Sequence, residues 1–342
     1  MSAAGQKGAS KPRRTLFLAG TVFLSLLLAF ASGEVLTRLL WKDPFALKTD
    51  ERTLSYGYDR ELGWFPTANS THQFADERLI SIHNNADGFR DVAHGAKSSK
   101  RIAFLGDSFV WGYDVEENDR FTEKLQGRIP GWEVLNLGVS GYGTDQEYLL
   151  LQKWFDRYQP DVLMLIFSDN DVEENTLNLV HGGYYKPYFE EVDHALVKRG
   201  VPVPKSIRYY RAEYPLIFKS RLIMMLTSKY LAWAFPKHTS TNNPTLKLVQ
   251  QIQTYVNSQH AKFIVGFVTE IEGPKKRAFC DATKIEYLFL LDPPHLTWDY
   301  MYRTGGHHWT PLGHDLVCSR LYDFLQTNHV LNSDNSGAAG SK

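Results

Sequence analysis

From Arg101 onward the chain is written in short apolar runs separated by amphipathic stretches. Residues 102–105, 134–137, 162–167, 263–268 and 287–291 are near-continuous apolar segments of strand length, the pattern of strands buried on both faces. Between them, 121–129, 145–158, 245–258 and 311–325 space their apolar side chains as helices do. Strand and helix in repeated order predict an α/β fold. Its mostly parallel five-stranded sheet would be covered on both faces, with a ligand crevice beyond the carboxyl ends of the strands. Residues 172–243 break the alternation with Tyr184, Tyr185, Tyr188, Phe189, Pro202, Pro204 and Trp233. An insertion of that length is expected to be a lid or binding subregion. Residues 43–100, rich in Gly, Asn, Asp and aromatics and alternating over 79–83, predict loops and short strands. The small, polar tail 331–342 is expected to stay disordered.

A different pattern opens the chain. Residues 2–14 are polar and carry Lys7, Lys11, Arg13 and Arg14, and 15–33 form an uncharged, mostly apolar run. At about 1.5 Å per residue that run spans roughly 28 Å as a helix, close to the hydrocarbon thickness of a bilayer. The basic cluster ahead of it orients segment 1–14 to the cytoplasm and the remainder to the outside. Ala29-Phe30-Ala31 offers small residues at which a signal peptide could be cut. Apolar character nevertheless continues through Val35, Leu36, Leu39, Leu40 and Trp41, with Arg38 and Lys42 placed to reach an interface. We therefore read an uncleaved transmembrane anchor over 15–41; on either account the bulk of the chain is exported.

Composition narrows the partners. Lys plus Arg and Asp plus Glu each total 38, so no global field draws the protein to nucleic acid. Cys280 and Cys318 are the only cysteines and have no ligand spacing around them, which argues against a zinc site. In an oxidising compartment they could pair, although isolated buried cysteines more often act as small hydrophobes.

The first strand runs directly into Gly106-Asp107-Ser108-Phe109, so a serine sits where an open sheet exposes its crevice. A serine hydroxyl is a poor nucleophile until a base takes its proton. The best-placed histidine is His308, in Gly306-His307-His308-Trp309-Thr310-Pro311-Leu312-Gly313-His314. Asn136-Leu-Gly-Val-Ser-Gly141-Tyr-Gly-Thr-Asp145 follows the second strand, and Ser168-Asp169-Asn170-Asp171 follows the third. A lone Gly-Asp-Ser arises often by chance; four blocks in order, each just after a strand, are specific. Over about residues 101–327 these blocks resemble the SGNH (GDSL-type) hydrolase superfamily. The first hundred residues resemble, loosely, only its membrane-anchored bacterial members.

The resemblance implies a flavodoxin-like three-layer sandwich preceded by a transmembrane helix. It also implies a serine nucleophile at Ser108, its base at His308, and an oxyanion hole of the Ser108 and Gly141 backbone N–H groups and the Asn170 side chain. No metal or organic cofactor is called for by such chemistry. Asp107 and Asp171 read as structural carboxylates accepting backbone N–H bonds in the turns. The chain departs from the family pattern at Ser168, where glycine is usual, and at Gly305 and Gly306, where an aspartate normally precedes the histidine. That missing carboxylate would orient the imidazole. Asp299 and Asp292 are the upstream candidates to replace it, with a Ser-His dyad or a backbone carbonyl as alternatives. His307 is a second candidate base, but His308 keeps the family spacing to Gly313 and His314.

The expected organisation is a cytoplasmic basic segment (1–14), the anchor (15–41), a juxtamembrane stretch (42–100), an SGNH hydrolase domain (101–330, insertion at about 172–243) and the tail. The expected function is an exported esterase of the bacterial inner membrane working through an acyl-enzyme on O-acyl, chiefly O-acetyl, esters of envelope or secreted glycans. Two alternatives stay open: an O-acyltransferase of the same fold, and a non-catalytic protein that binds glycan or a partner. Nucleic acid is not an expected partner.

Overall fold

The computed structural model describes residues 11–45, 50–303 and 307–332. The first ten residues and positions 333–342, where a cytoplasmic segment and a disordered tail were expected, lie outside them. The chain opens on α1 (Lys11–Leu40) and divides into two compact units, one of residues 1–47 and 210–236, the other of 48–209 and 237–342.

The larger unit starts with α2 (Glu51–Ser55), capped by the Asp50 carboxylate on the Thr53 N–H at 2.9 Å. Two antiparallel hairpins follow, β1 (Tyr56–Asp59) with β2 (Gly63–Pro66) and β3 (Thr71–Ala75) with β4 (Leu79–His83). Then come β5 (Lys100–Gly106), α3 (Ser108–Trp111), α4 (Phe121–Arg128), β6 (Trp132–Gly138), α5 (Thr144–Tyr158), β7 (Val162–Phe167) and α6 (Asp171–Glu174). The insertion folds into β8 (Leu179–Val180) with β9 (Tyr184–Tyr185) and β10 (Tyr188–Val192) with β11 (Ala195–Arg199). It continues through α7 (Ile207–Glu213), along which the chain passes into the smaller unit, and α8 (Arg221–Ala234), before the chain returns to the larger one. Next are α9 (Thr245–Ser258), β12 (Lys262–Thr269), α10 (Gly273–Thr283), β13 (Glu286–Leu291) and α11 (Pro311–Thr327).

The five strands expected from apolar runs form one sheet in the order β13-β12-β7-β5-β6. Every neighbouring pair is parallel, so the sheet is wholly, and not just mostly, parallel. Alternate side chains divide the core in two. Ala103, Leu105, Leu163 and Leu165 pack with Leu151 and Phe155 of α5 and Leu248 and Ile252 of α9. Ile102, Phe104, Met164 and Ile166 pack with Phe121 and Leu125 of α4 and Val317 and Leu321 of α11. This is why the strands read as unbroken apolar runs: both faces of the pleat are covered. Cys280 and Cys318 are free thiols in these two separate clusters.

The strand order carries the functional consequence. The chain leaves β5 for β6 on one side, then returns across it to β7 on the other, which makes the carboxyl ends of β5 and β7 a topological switch point. Crevices in doubly wound sheets form there.

In the smaller unit, the 27-residue span Arg14–Leu40 of α1 is long and apolar enough to cross a membrane, and its most apolar window is not buried against protein. The same unit contains α8, which packs on the carboxyl-terminal part of α1.

Candidate active site

Three of the expected site residues follow the carboxyl ends of the central strands. After β5, Asp107 accepts a hydrogen bond from the Phe109 N–H at 2.9 Å and so caps α3, whose first residue is Ser108. The α3 turn lies directly on β6: a Cβ on Gly138 would stand 2.3 Å from the Trp111 nitrogen, so only glycine fits. Asn136 fixes the same turn from below, donating to the Val110 carbonyl at 2.7 Å. From the Asn84–Arg90 stretch, the buried Arg90 guanidinium donates to the carbonyls of Gly112 (2.6 Å) and Val115 (2.8 Å).

Two hundred positions downstream, the loop before α11 is tied to residues 300–302. Tyr302 N–H donates to the His308 carbonyl at 2.8 Å and Thr310 N–H to the Tyr300 carbonyl at 2.9 Å. This brings His308 Nε2 to 2.6 Å from Ser108 Oγ, with both residues buried. The imidazole stacks on the Tyr113 ring, centroids 4.2 Å apart and planes 21° apart, and Phe109 lies 5.1 Å away on a tilted face. His307, the neighbouring candidate, is exposed, its Nδ1 3.0 Å from the Tyr302 carbonyl. His314 is buried, accepts the Phe121 N–H at 3.2 Å and joins α11 to α4.

The two candidate orienting acids are placed elsewhere. Asp292 is bound to Arg320 at 2.7 Å and to His295, and Asp299 gives its backbone carbonyl to the Thr310 hydroxyl at 2.6 Å. Neither carboxylate is bonded to His308. Asp292 ends the strand layer on α11's side, where Arg320 is the stronger claim on its charge.

Ser108 and His308 line a cavity of about 310 Å³ that also includes Gly141 and Asn170. Among the described residues, neither the Ser108 nor the Gly141 N–H is spent on a protein acceptor. The Ser108 N–H is one of the orphan donors at a helix start. Asn170 accepts the Ser168 hydroxyl at Oδ1, and its side chain also hydrogen-bonds the Asp107 and Glu174 carboxyl groups. The serine at the position where glycine is usual in the resembled family thus has a role in orienting Asn170. Asp107 is structural as expected, although burial pushes its carboxyl up to about 6 against the hydrogen bonds that hold it. Asp171 accepts not a backbone N–H but the Thr144 hydroxyl at 2.9 Å, and burial raises its pKa.

The rest of the cavity wall was not legible as site in the sequence: Glu51, Arg52, Tyr113, Ser140, Glu174 and His181. Glu51 Oε1 accepts the Ser140 hydroxyl at 2.5 Å and Arg52 Nη1 at 2.8 Å. Trp64 Nε1 donates to the Ser140 carbonyl at 3.2 Å, and Ser140 N–H donates to the Tyr56 hydroxyl at 3.2 Å. The segment from α2 to β2 therefore clasps the loop bearing Gly141. His181, in the turn between β8 and β9, lies with Nε2 2.9 Å from the Gly141 carbonyl. Burial, with Arg52 close by, pushes the imidazole down to about 3, so it is neutral and donates from Nε2. Glu174 is pushed up to about 8, chiefly by burial, and is mostly protonated at neutral pH. A wider groove of about 860 Å³, lined by residues such as Gln152, Lys198 and Gln250, lacks any serine–histidine pair.

Fold and site together define a doubly wound α/β protein with a serine–histidine pair and unspent N–H donors at its topological switch point. No family model and no curated protein matches the chain. Among solved structures it is similar to TesA (11% identity, TM-score 0.42, covering 67% of this chain and 99% of that one). It is also similar to the psychrotrophic esterase EstA of a Pseudoalteromonas species (9%, 0.42, 68% and 100%). A GDSL-like lipase of Bacteroides thetaiotaomicron is a further likeness (15%, 0.40, 69% and 93%). Likenesses this distant do not bear on activity.

Proposed function

We propose that this protein is a serine ester hydrolase of the SGNH (GDSL) type, held at a membrane by α1, that removes small O-acyl groups, chiefly O-acetyl, from envelope or secreted glycans. The observation that carries the reading is the 2.6 Å approach of His308 Nε2 to Ser108 Oγ in a cavity shared with Gly141 and Asn170. As Ser108 Oγ bonds to the ester carbonyl carbon, its proton passes to His308 Nε2 and the carbonyl electron pair moves onto oxygen. The N–H groups of Ser108, Gly141 and Asn170 stabilise that oxyanion more than the ground-state carbonyl, each worth about 3 kcal/mol. Collapse breaks the bond to the leaving alkoxy oxygen, which takes the proton from His308. Water then repeats the sequence on the acyl-enzyme and frees the acid. The Tyr113 ring fixes the imidazole plane through both half-reactions. The cavity's small volume suits a short acyl group, and its polar wall of Arg52, Glu51, Glu174 and His181 suits a hydroxyl-rich alcohol.

An activity-based fluorophosphonate probe tests the pair. Wild-type protein is expected to label, Ser108→Ala not at all and His308→Ala only weakly, with turnover of an activated acetyl ester falling in parallel. A folded wild type that resists the probe would end the enzymatic reading. The same acetyl ester, assayed with and without glycan, separates acyl transfer to water from transfer to a sugar hydroxyl.

A further inference from the structure

The smaller unit holds a helix whose amphipathic logic is inverted. On α8, Met224 and Leu231 are buried, as an inner face should be. The outer face carries Leu226, Tyr230 and Trp233, spaced as i, i+4 and i+7 and exposed by 55%, 57% and 79%. A helix facing water places charged or polar residues there. The approach to α8 is equally bare, with Tyr214, Leu216 and Ile217 all exposed.

How α8 is held says what depth it occupies. Its N-terminus is bound by Glu34 of α1: the Ser220 hydroxyl donates to Glu34 at 2.7 Å, and the N–H groups of Arg221 and Leu222 each donate at 3.1 Å. Arg38, one turn on, pairs with Glu34 at 2.7 Å and donates to the Lys219 carbonyl at 3.0 Å. Leu222 lies over Gly33, where a Cβ would approach it to 2.9 Å. From Arg14 to Glu34 is about 30 Å along a helix, the thickness of a bilayer's hydrocarbon. If Arg14 marks one boundary, Glu34 and the start of α8 lie at the other. A carboxylate is tolerable there because helix-terminal N–H groups and Arg38 satisfy it.

Resting on the reading of α1 as a transmembrane anchor, we infer that α8 is a second membrane element, an interfacial helix whose Leu226–Tyr230–Trp233 face enters the outer leaflet of the bilayer that α1 crosses. The occupant is argued from continuity and charge. The stripe belongs to the same compact unit as the unburied apolar surface of α1. Residues 210–236 contain the bases Arg211, Lys219, Arg221 and Lys229 against the single acid Glu213, a balance that favours anionic headgroups. Tyr and Trp are the side chains that settle at headgroup level. Cutting the chain after Ala31 would strip α8 of the anchor while leaving Glu34, so this arrangement has its purpose only in the uncleaved protein.

The full chain in vesicles of phosphatidylethanolamine and phosphatidylglycerol, with acyl-brominated lipids, tests the inference by tryptophan quenching. Trp233 is read as the component lost in Trp233→Phe, and α1 is read separately as the component gained when Leu24→Trp is added to that variant. Bromines near the carbonyl end should quench Trp233 at least about twofold more than bromines near the chain terminus, as an interfacial helix requires. The Leu24→Trp reporter should show the opposite preference. If that reporter is quenched and Trp233 is not, α8 lies off the bilayer and the inference is overturned while the anchor stands; a dimer by mass photometry would then assign the face to a second copy. If neither is quenched, the anchor reading fails and the inference falls with it.

Discussion

Replacing Gly141 by alanine interrogates the oxyanion assignment without touching Ser108 or His308. Gly141 has φ of +79°, a left-handed conformation that costs an L-residue about 1–2 kcal/mol. Its new Cβ would stand 2.6 Å from Arg52 Nη1 and 2.9 Å from His181 Nε2, well inside ordinary contact. Neither neighbour can easily retreat, because Arg52 is bonded to Glu51 at 2.8 Å and His181 to the Gly141 carbonyl at 2.9 Å. The peptide must therefore shift or turn, and its N–H leaves the position where the oxyanion forms. Loss of one such donor lowers kcat by about 100- to 1,000-fold. We expect kcat on an activated acetyl ester to fall by at least about 100-fold with KM little changed, because the donor acts on charge that exists only in the transition state. Urea unfolding should show a stability loss of at least about 1–2 kcal/mol, the left-handed backbone cost to which the forced shift adds. A folded Gly141→Ala protein with wild-type kcat would refute the assignment of this N–H to the oxyanion hole.

Two further outcomes follow from the cavity wall. Glu174 titrates near 8 when folded against an ordinary 4.5, so the folded protein binds more protons between those values. The neutral acid's contribution is fully present below about 4.5 and is lost as pH rises through about 8. Urea midpoints from pH 5 to 9 should therefore fall more steeply for wild type than for Glu174→Gln, and parallel curves would show that Glu174 does not titrate in this range. Tyr113→Ala removes the stacking face of His308 and should lower kcat by about 10- to 100-fold through misorientation of the base, leaving KM largely intact. Tyr113→Phe should restore most of the rate, and failure of that rescue would point to the phenol hydroxyl, which is 3.3 Å from Asp76, as the group that matters.

What could be read in the sequence and what could not divide along a physical line. The five strands were legible because a sheet covered on both faces demands unbroken apolar runs, and Ser108, Gly141 and Asn170 were singled out because the blocks that follow those runs resemble a known family. The helix α8 was hidden by its own composition: with apolar residues on two faces, it gives no contrast between a buried and a solvated side, and periodicity is only visible as contrast. Glu51 and Arg52 were hidden differently. Asp50 ahead of a short run was a usable helix-start signal, but nothing local says that this helix will reach a loop ninety positions away. His181 and Glu174 lie in an insertion whose register no apolar pattern fixes. The strands thus place Ser108, Gly141 and Asn170 at predictable positions, whereas the partners that hold them come from segments chosen by tertiary contact. A site assembled this way brings α2 into the cavity wall, since Glu51, Tyr56 and Trp64 each bond Ser140, the residue before Gly141. The bare strand-and-helix body would present the same Ser108–His308 pair, but the loop bearing Gly141 would lose the bonds that Glu51, Tyr56 and Trp64 make to Ser140.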